Sequence, residues 1–246
     1  MAKQSSGGLL ENIKTLAYAA LIAVGIRTVA FEPFSIPSGS MIPTLLVGDY
    51  LFVSKYSYGY SRFSMPLAPK LFSGRLFGRL PERGDVAVFK WPRDNATDYI
   101  KRIVALPGDR IQMKSGQLYI NGALLPRQPV GEYVSDDDGR PLIAKEYTET
   151  LPNGRKHEIL KMYEEGGLNS TQEFLVPPEH VFAMGDNRDN SSDSRDPNGG
   201  VGFVPVENIV GRAEFIWMSI DARDPWWQIW RWPFEIRWRR LLRGVS

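Results

Sequence analysis

The chain has 246 residues, of which 43% are hydrophobic and 24% are charged, and these proportions exclude a mainly disordered protein. Its formal net charge of +2 provides no overall basic character, so nucleic acid is not an expected partner. The chain contains no cysteine, which excludes disulfides, thiol catalysis and thiolate metal sites.

The first predicted element is an apolar segment near the N-terminus. Residues 16–26 carry no charge, and Lys14 and Arg27 flank them. A membrane span needs about 20 mostly apolar residues, and basic side chains at its ends can reach the interface, so residues 13–31 are long enough to cross. A cleaved signal peptide and a buried helix are the two other interpretations of this segment. The flanking charges do not fix an orientation.

Strand patterns follow in chain order. Residues 44–60 are rich in β-branched and aromatic side chains, residues 84–91 alternate, and residues 98–125 form three short runs separated by turns. Residues 126–179 contain more charge and glycine, and the apolar pattern resumes at His180. We therefore predict a mostly β fold of antiparallel strands that carries a small inserted subdomain.

Residues 186–200, DNRDNSSDSRDPNGG, form an almost wholly polar segment that we call the polar loop. Calcium loops place ligands at alternate positions, followed by a glycine and a distal glutamate, and the aspartates here do not have that spacing. We predict no metal site, and the simplest interpretation of the segment is a long surface loop.

The inventory of catalytic side chains is small. The only histidines are His157 and His180, and neither lies beside a nucleophile motif. The patterns G-x-S-x-G and S-x-x-K are both absent, which removes the sequence marks of two large groups of serine enzymes. An activated serine would therefore need a lysine from elsewhere in the chain.

Lys101 is the best candidate for such a lysine. Strand alternation places it on one face with Tyr99, Ile103 and Ala105, so its amine would lie on an apolar surface. To act as a base near neutral pH it needs a pKa about three units below its usual value, which desolvation can supply. Two other interpretations remain: the side chain extends to water at a sheet edge or pairs with Asp98. Lys90 is a rival amine, although Pro92 ends its strand early.

Four blocks of the sequence strongly resemble the bacterial type I signal peptidases, the serine-lysine leader peptidases of the plasma membrane. In chain order, after an N-terminal apolar segment, these blocks are IPSGSMIPTLLVGDYLFVSK, RGDVAVFKWP, DYIKRIVALPGDRI and MGDNRDNSSDSR. The later segment GFVPVENIVGRAEFIW extends the resemblance. Any single block is a weak signal, but their joint order is highly specific.

The resemblance implies a nucleophile at Ser40 and a general base at Lys101. It also implies an oxyanion hole formed by the hydroxyl of Ser38 and the backbone N–H of Ser40, which would stabilise the charge of the tetrahedral intermediate. Residues matching Ile36, Pro37, Met41, Leu45, Tyr99 and Ile100 line shallow pockets in the family. Such pockets select small side chains at the first and third positions before the cut, as in A-x-A.

The polar loop also acquires roles through the resemblance. Ser191 matches the position that orients the lysine amine, and Asp193 and Arg195 match a supporting acid and base. Asp186 and Arg102 match further structural positions. The chain departs from the family in DPNGGV after Arg195, where the aromatic-glycine step often comes sooner, so the end of this loop is left open by the resemblance.

The implied organisation places a short cytoplasmic N-terminus at residues 1–12 and a transmembrane anchor at 13–31. Residues 32–106 and 180–246 would form the antiparallel β-sheet catalytic core, and 107–179 the β-rich inserted subdomain. The enzyme would be a single-pass protein of the bacterial plasma (inner) membrane, with its catalytic domain on the outer (periplasmic) face. Its partners would be signal peptides of preproteins, the lipid bilayer and, as a further option, the secretion machinery. No cofactor is needed.

The sequence leaves three further points open. The C-terminal run WWQIWRWPFEIRWRRLLRG suits a membrane interface, but its tryptophans could equally cap the β core. A self-cleaving repressor would use similar chemistry but needs a DNA-binding domain, for which the residues before Ser40 offer only one apolar segment. A membrane-anchored binding protein would tolerate the loss of Ser40 or Lys101.

Overall fold

The structure, a computed structural model, describes residues 7–65, 68, 72–137, 140–221 and 235–245. Its one α-helix among these residues, α1 (Gly7–Val29), is followed by fourteen strands. They are β1 (Phe31–Ser35), β2 (Asp49–Ser54), β3 (Val86–Lys90), β4 (Asp98–Ala105), β5 (Arg110–Lys114), β6 (Gln117–Ile120), β7 (Ala123–Leu124), β8 (Arg127–Asp137), β9 (Arg140–Thr150), β10 (Lys156–Lys161), β11 (Phe174–Leu175), β12 (His180–Met184), β13 (Val204–Pro205) and β14 (Ile209–Ser219). The predicted mostly β fold is confirmed.

Helix α1 is long and apolar enough to cross a membrane. The candidate span runs over Glu11–Val29, and none of it is buried against the rest of the chain. We expected the apolar element to reach residue 31, but the helix ends two residues earlier because Phe31 already pairs with Ser54 in β1 and β2. The hydroxyl of Tyr60 donates to the carbonyl of Val29 at 2.7 Å and so holds the last residue of the helix against the rest of the chain.

The main sheet has seven antiparallel strands in the order β1-β2-β14-β3-β4-β12-β13. Its buried side chains form hydrophobic clusters, and in one of them Leu51, Val88 and Ile216 pack with Met41 and Leu45 of the connection between β1 and β2. Strand β4 lies between β3 and β12, so its side chains are buried by neighbours from distant parts of the sequence. This central position determines the surroundings of Lys101 and Arg102.

The predicted inserted subdomain, residues 107–179, contains two further antiparallel sheets. One has the order β11-β5-β6-β7, and the other, with the order β10-β9-β8, contains two strands of eleven residues each. A shared hydrophobic cluster joins the first of these sheets to the main sheet, since Ile111 and Leu118 pack with Val104 and Phe182. The exact domain limits stay a prediction.

Four of the five tryptophans of the C-terminal run lie outside the described residues, at positions 226, 227, 230 and 232. Residues 235–244 of this run are described and, together with Val245, return to the main sheet. The N–H of Val245 donates to the carbonyl of Glu214 at 2.8 Å, and that of Leu242 to the carbonyl of Ile216 at 2.7 Å. Arg240 is buried and forms an ion pair with Asp49 at 2.5 Å.

Candidate active site

Ser40 lies in a short 3₁₀ helix, Gly39–Met41, between β1 and β2. Two backbone hydrogen bonds close the base of this connection. The N–H of Ile36 donates to the backbone carbonyl of Asp49 at 2.8 Å, and the N–H of Gly48 donates to the carbonyl of Ile36 at 3.0 Å. Met41 is fully buried in the core directly after the serine. The connection therefore fixes Ser40 at the surface of a packed sheet, with 8% of the residue exposed.

Lys101 reaches Ser40 from strand β4. Its Nζ donates to Oγ of Ser40 at 2.7 Å and to the carbonyl of Ile100 at 3.1 Å. The residue is 3% exposed, and burial lowers the pKa of its amine from 10.5 to about 8, although the charges of Asp193 and Asp186 oppose that shift. This amine is therefore easier to deprotonate than an exposed lysine.

Arg102 projects from the opposite face of β4, as strand alternation requires. Its Nε and Nη2 donate to the two carboxylate oxygens of Asp186 at 2.8 and 2.7 Å, and both side chains are buried. The hydroxyl of Thr44 donates to the same carboxylate at 2.6 Å. The arrangement ties β4, the connection after Ser40 and the start of the polar loop together.

The polar loop is not a solvated surface loop over most of its length. Asp193 and Arg195 are buried, and Nε and Nη2 of Arg195 each donate to a carboxylate oxygen of Asp193 at 2.8 Å. The same carboxylate accepts the N–H of Gly185 at 3.0 Å, and Ser194 exchanges hydrogen bonds with Ala183 of β12. These bonds fold the loop back onto the strand that precedes it.

Ser191 is brought close to the serine but does not bond the lysine here. Its Oγ is buried and has no hydrogen-bond partner among the described residues. A Cβ added at Gly185 would lie 2.3 Å from this Oγ and 2.6 Å from the carbonyl oxygen of Ser40, so the glycine allows three segments to meet. The role of Ser191 in orienting Lys101 stays a prediction.

A cleft of about 400 Å³ opens beside Ser40 and Lys101. Ser38 lies at its edge, just before the 3₁₀ helix and exposed to solvent. The cleft is lined by Pro37, Ser38, Gly39, Ser40, Thr97, Asp98, Tyr99, Ile100, Lys101, Asn190 and Ser192. Three of the six expected pocket residues, Pro37, Tyr99 and Ile100, are therefore among the lining residues. The other three, Ile36, Met41 and Leu45, lie in the hydrophobic core beneath the cleft.

The alternative bases lie elsewhere among the described residues. His157 is buried in β10, where Nε2 is 3.5 Å from the carboxylate of Glu149. His180 is half-buried at the start of β12, and its Nδ1 lies 2.8 Å from the carbonyl of Pro178. Lys90 pairs with Asp98 at 2.9 Å. Within the described ranges, no cluster of three or more histidine and carboxylate side chains is placed to hold a metal ion.

Sequence reasoning missed two residues of the polar loop that the structure brings to the centre of the site, Asn187 and Arg188. Asn187 contacts the backbone on both sides of Ser40, and Arg188 is buried against Glu149. Both residues follow the end of the buried strand β12 at Met184 within four residues, and this closeness to a buried strand was the available signal. We assigned roles only to their neighbours.

Comparisons with known proteins point to one family. Residues 9–218 match the family model described as "Signal peptidase, peptidase S26". The chain is 42% identical over 225 residues to a signal peptidase I of Rickettsia typhi, covering 88% of this chain and 82% of that one. It is 44% identical over 251 residues to a signal peptidase I of Rickettsia canadensis, covering 94% and 92%. A crystal structure of a signal peptidase I from Enterococcus faecalis V583 matches with 26% identity and a TM-score of 0.32, over 55% of this chain and 97% of that one.

Proposed function

The chain belongs to the signal peptidases of family S26, serine peptidases that remove signal peptides, and on that premise we propose that Ser40 and Lys101 form its catalytic dyad. Ser40 is the nucleophile and Lys101 the general base. The substrate is the N-terminal signal peptide of an exported preprotein, cut after a small residue at A-x-A sites.

One observation carries this proposal. The amine of Lys101 lies 2.7 Å from Oγ of Ser40 in a buried setting that lowers its pKa to about 8. A hydrogen bond of this length allows direct proton transfer, and the lowered pKa makes the neutral amine accessible near physiological pH. A serine is a weak nucleophile without such a base.

The reaction follows from these two groups. Neutral Lys101 takes the hydroxyl proton as Oγ of Ser40 attacks the scissile carbonyl carbon, and the resulting ammonium gives the proton to the leaving amine as the C–N bond breaks. The product is an acyl-enzyme and a neutral lysine. Lys101 then takes a proton from water as the water oxygen attacks the ester carbonyl carbon, and it returns that proton to Oγ of Ser40 as the C–O bond breaks, which releases the cleaved signal peptide and restores the dyad.

The surroundings suit a peptide substrate. Ser38 and the backbone N–H of Ser40 lie at the edge of the cleft and are the proposed donors to the oxyanion. Pro37, Tyr99 and Ile100 provide apolar contacts in the cleft. We propose that Ile36, Met41 and Leu45 shape these pockets from below, and that their limited depth selects small side chains.

We also propose that α1 anchors the enzyme in the plasma membrane, with the catalytic domain on the outer face. The support is positional: Ser40 follows Val29 by only eleven residues, and no part of the candidate span is buried in the fold. A nucleophile so close to its own anchor lies where a signal peptide leaves the bilayer. Contact with the secretion machinery is compatible with this position.

The test is cleavage of a preprotein with an A-x-A site by the full chain in detergent, alongside Ser40→Ala and Lys101→Ala. We expect wild type to cut after the small residue and both variants to lose cleavage while remaining folded by circular dichroism. Lys90→Ala serves as the control for the rival amine and should still cleave. Full cleavage by Lys101→Ala would remove the proposed base, and no cleavage by folded wild type would favour a binding protein.

A further inference from the structure

We propose that Asn187 is a positioning residue for the oxyanion hole, which it aligns by holding both peptide units that flank Ser40. This inference rests on the proposed function, because it assigns Asn187 a role in the same reaction. It adds a residue of the polar loop that the motif-based assignments do not include.

Asn187 is fully buried and reaches the serine with two separate donors. Its backbone N–H donates to the carbonyl of Ser40 at 3.1 Å. Its side-chain Nδ2 donates to the carbonyl of Gly39 at 3.2 Å. One residue thus bonds the carbonyl groups immediately before and after the nucleophile's Cα.

The bond to Gly39 has a direct geometric consequence. The Gly39 carbonyl and the Ser40 N–H belong to one planar peptide unit and point in opposite directions. Fixing the carbonyl therefore fixes the direction of the N–H, the proposed backbone donor to the oxyanion. Oxyanion-hole catalysis depends on donors that are already aligned before charge develops. A donor on the carbonyl also polarises the amide and strengthens its N–H as a donor.

The orientation of the Asn187 amide follows from its partner. A carbonyl oxygen only accepts, so the NH₂ group must face Gly39 and Oδ1 must face the other way. Oδ1 is buried and has no partner among the described residues, so the amide gains its hydrogen bond here only at the Gly39 side. This orientation leaves a buried acceptor unpaired, which normally lowers the free energy of unfolding by about 1–3 kcal/mol.

Neighbouring bonds hold Asn187 rigidly in place. Leu160 of β10 donates its N–H to the Asp186 carbonyl at 2.9 Å and accepts the Arg188 N–H at 3.0 Å, so Asn187 lies between two anchored residues. The guanidinium of Arg188 is buried against the carboxylate of Glu149. The inserted subdomain therefore supports the segment that aligns the serine.

The test compares the full chain in detergent with Asn187→Ala, Asn187→Asp and Asn208→Ala. The first removes the Nδ2 donor, and the second keeps the shape but turns an acceptor toward the Gly39 carbonyl. Asn208 is the matched control, because it is also buried and donates Nδ2 to a backbone carbonyl, that of Lys90, at 3.1 Å. All four proteins are compared by thermal unfolding and by kcat and KM on one A-x-A peptide.

A second readout isolates the oxyanion hole. A peptide aldehyde ending in A-x-A adds to Ser40 and presents a tetrahedral oxygen to the hole, whereas the matching peptide amide, truncated at the same residue, does not. We expect Asn187→Ala to lower kcat on the order of 10- to 100-fold, with KM changed by about twofold or less, since removing a direct oxyanion donor costs about 10²–10³-fold. In Asn187→Ala the affinity for the aldehyde should fall along with kcat, whereas the affinity for the amide should stay unchanged. Asn187→Asp should lower kcat and aldehyde affinity at least as much as Asn187→Ala does.

Three results would overturn the inference while the proposed function stands. The first is an unchanged kcat in folded Asn187→Ala, and the second is a change in that variant that affects KM alone. The third is a fall of kcat in Asn208→Ala as large as the fall in Asn187→Ala. A parallel fall in aldehyde and amide affinity would likewise assign Asn187 to substrate binding instead. If wild type itself fails to cleave, the proposed function fails first, so the two failures are distinguishable.

Discussion

Glu149 and Arg188 form a buried ion pair that joins β9 of the inserted subdomain to the polar loop. Nη1 of Arg188 donates to Oε1 of Glu149 at 3.0 Å, and Nη2 donates to the other carboxylate oxygen. Burial alone would raise the pKa of Glu149, but the Arg188 charge holds it below its usual value. The pair therefore places two opposite charges in the interior, one residue along the chain from Asn187, which bonds the carbonyls of Gly39 and Ser40.

Removing one member of this pair should destabilise the protein strongly. In Glu149→Gln the Arg188 guanidinium stays buried without a counter-charge, and such changes typically cost about 3–5 kcal/mol. Thermal unfolding in detergent measures the loss. Glu173→Gln is the control, because its pair with Arg110 is exposed and should change stability by about 1 kcal/mol or less. Similar midpoints for both variants would contradict the account.

Lys101 should lower stability at neutral pH while serving catalysis. Its pKa in the folded chain, about 8, is below the usual 10.5, so the unfolded chain binds more protons between these values and stability rises with pH across that window. At pH 7, below both pKa values, burial of the charged amine lowers the free energy of unfolding by its full amount, about 3 kcal/mol. We expect Lys101→Met to unfold several degrees above wild type at pH 7 and to be inactive. The exposed Lys114→Met should not gain stability, and a lower midpoint for Lys101→Met would contradict the buried-amine interpretation.

The surroundings of Lys101 could be predicted from the sequence better than those of the polar loop. Alternation in residues 98–105 placed Lys101 on an apolar face of its strand, and the residue is buried in the structure. The sequence did not predict that Asp193, Arg195 and the rest of the polar loop are largely buried, because charged side chains are usually exposed. Asp193 and Arg195 are buried as a pair with each other, whereas Asp186 and Arg188 pair with Arg102 of β4 and Glu149 of β9.

The long hairpin of β8 and β9 was also missed. Its residues appeared as short, charge-rich runs, since polar side chains occupy both faces of the strands and no clean period of two remains. The pairing of Arg127 with Glu149 and of Val134 with Ile143 shows that two strands of eleven residues run the full length together.

Pocket residues could be predicted only in part, because sequence order does not separate Ile36, in the core, from its neighbour Pro37, at the cleft.

His157 should make the protein acid-sensitive. Burial, reinforced by the nearby charge of Arg102, lowers the pKa of His157 from 6.5 to about 4. Its contribution to stability is therefore complete above pH 6.5 and is lost as the pH falls toward 4, because the unfolded chain binds the proton first. We expect wild type to lose about 3 kcal/mol more than His157→Gln between pH 7 and 4. His180→Gln is the matched control and should keep the wild-type pH dependence; if His157→Gln keeps it too, the assignment fails.

Gly185 should be required for activity. A methyl group at this position would lie 2.6 Å from the backbone oxygen of Ser40 and 2.3 Å from Oγ of Ser191. Both distances are shorter than van der Waals contact, and the clash with Ser40 can be relieved only by a shift of the backbone. We expect Gly185→Ala to displace the serine and to lower kcat at least tenfold on the scale typical of misplaced catalytic groups, roughly 10²-fold per ångström. In Gly131→Ala, where the added Cβ meets open space, kcat should match wild type. Wild-type kcat in Gly185→Ala would show that the contact is not needed.

The dependence of kcat/KM on pH tests the neutral lysine base most directly. The substrate should be an A-x-A peptide with a blocked N-terminus and no group that titrates between pH 6 and 10. In the proposed dyad only the neutral amine of Lys101 accepts the Ser40 proton, so kcat/KM should rise about tenfold per pH unit at acid pH and level off above a midpoint near 8. A flat profile between pH 6 and 9, or one that falls as the pH rises through 8, would contradict the serine-lysine dyad.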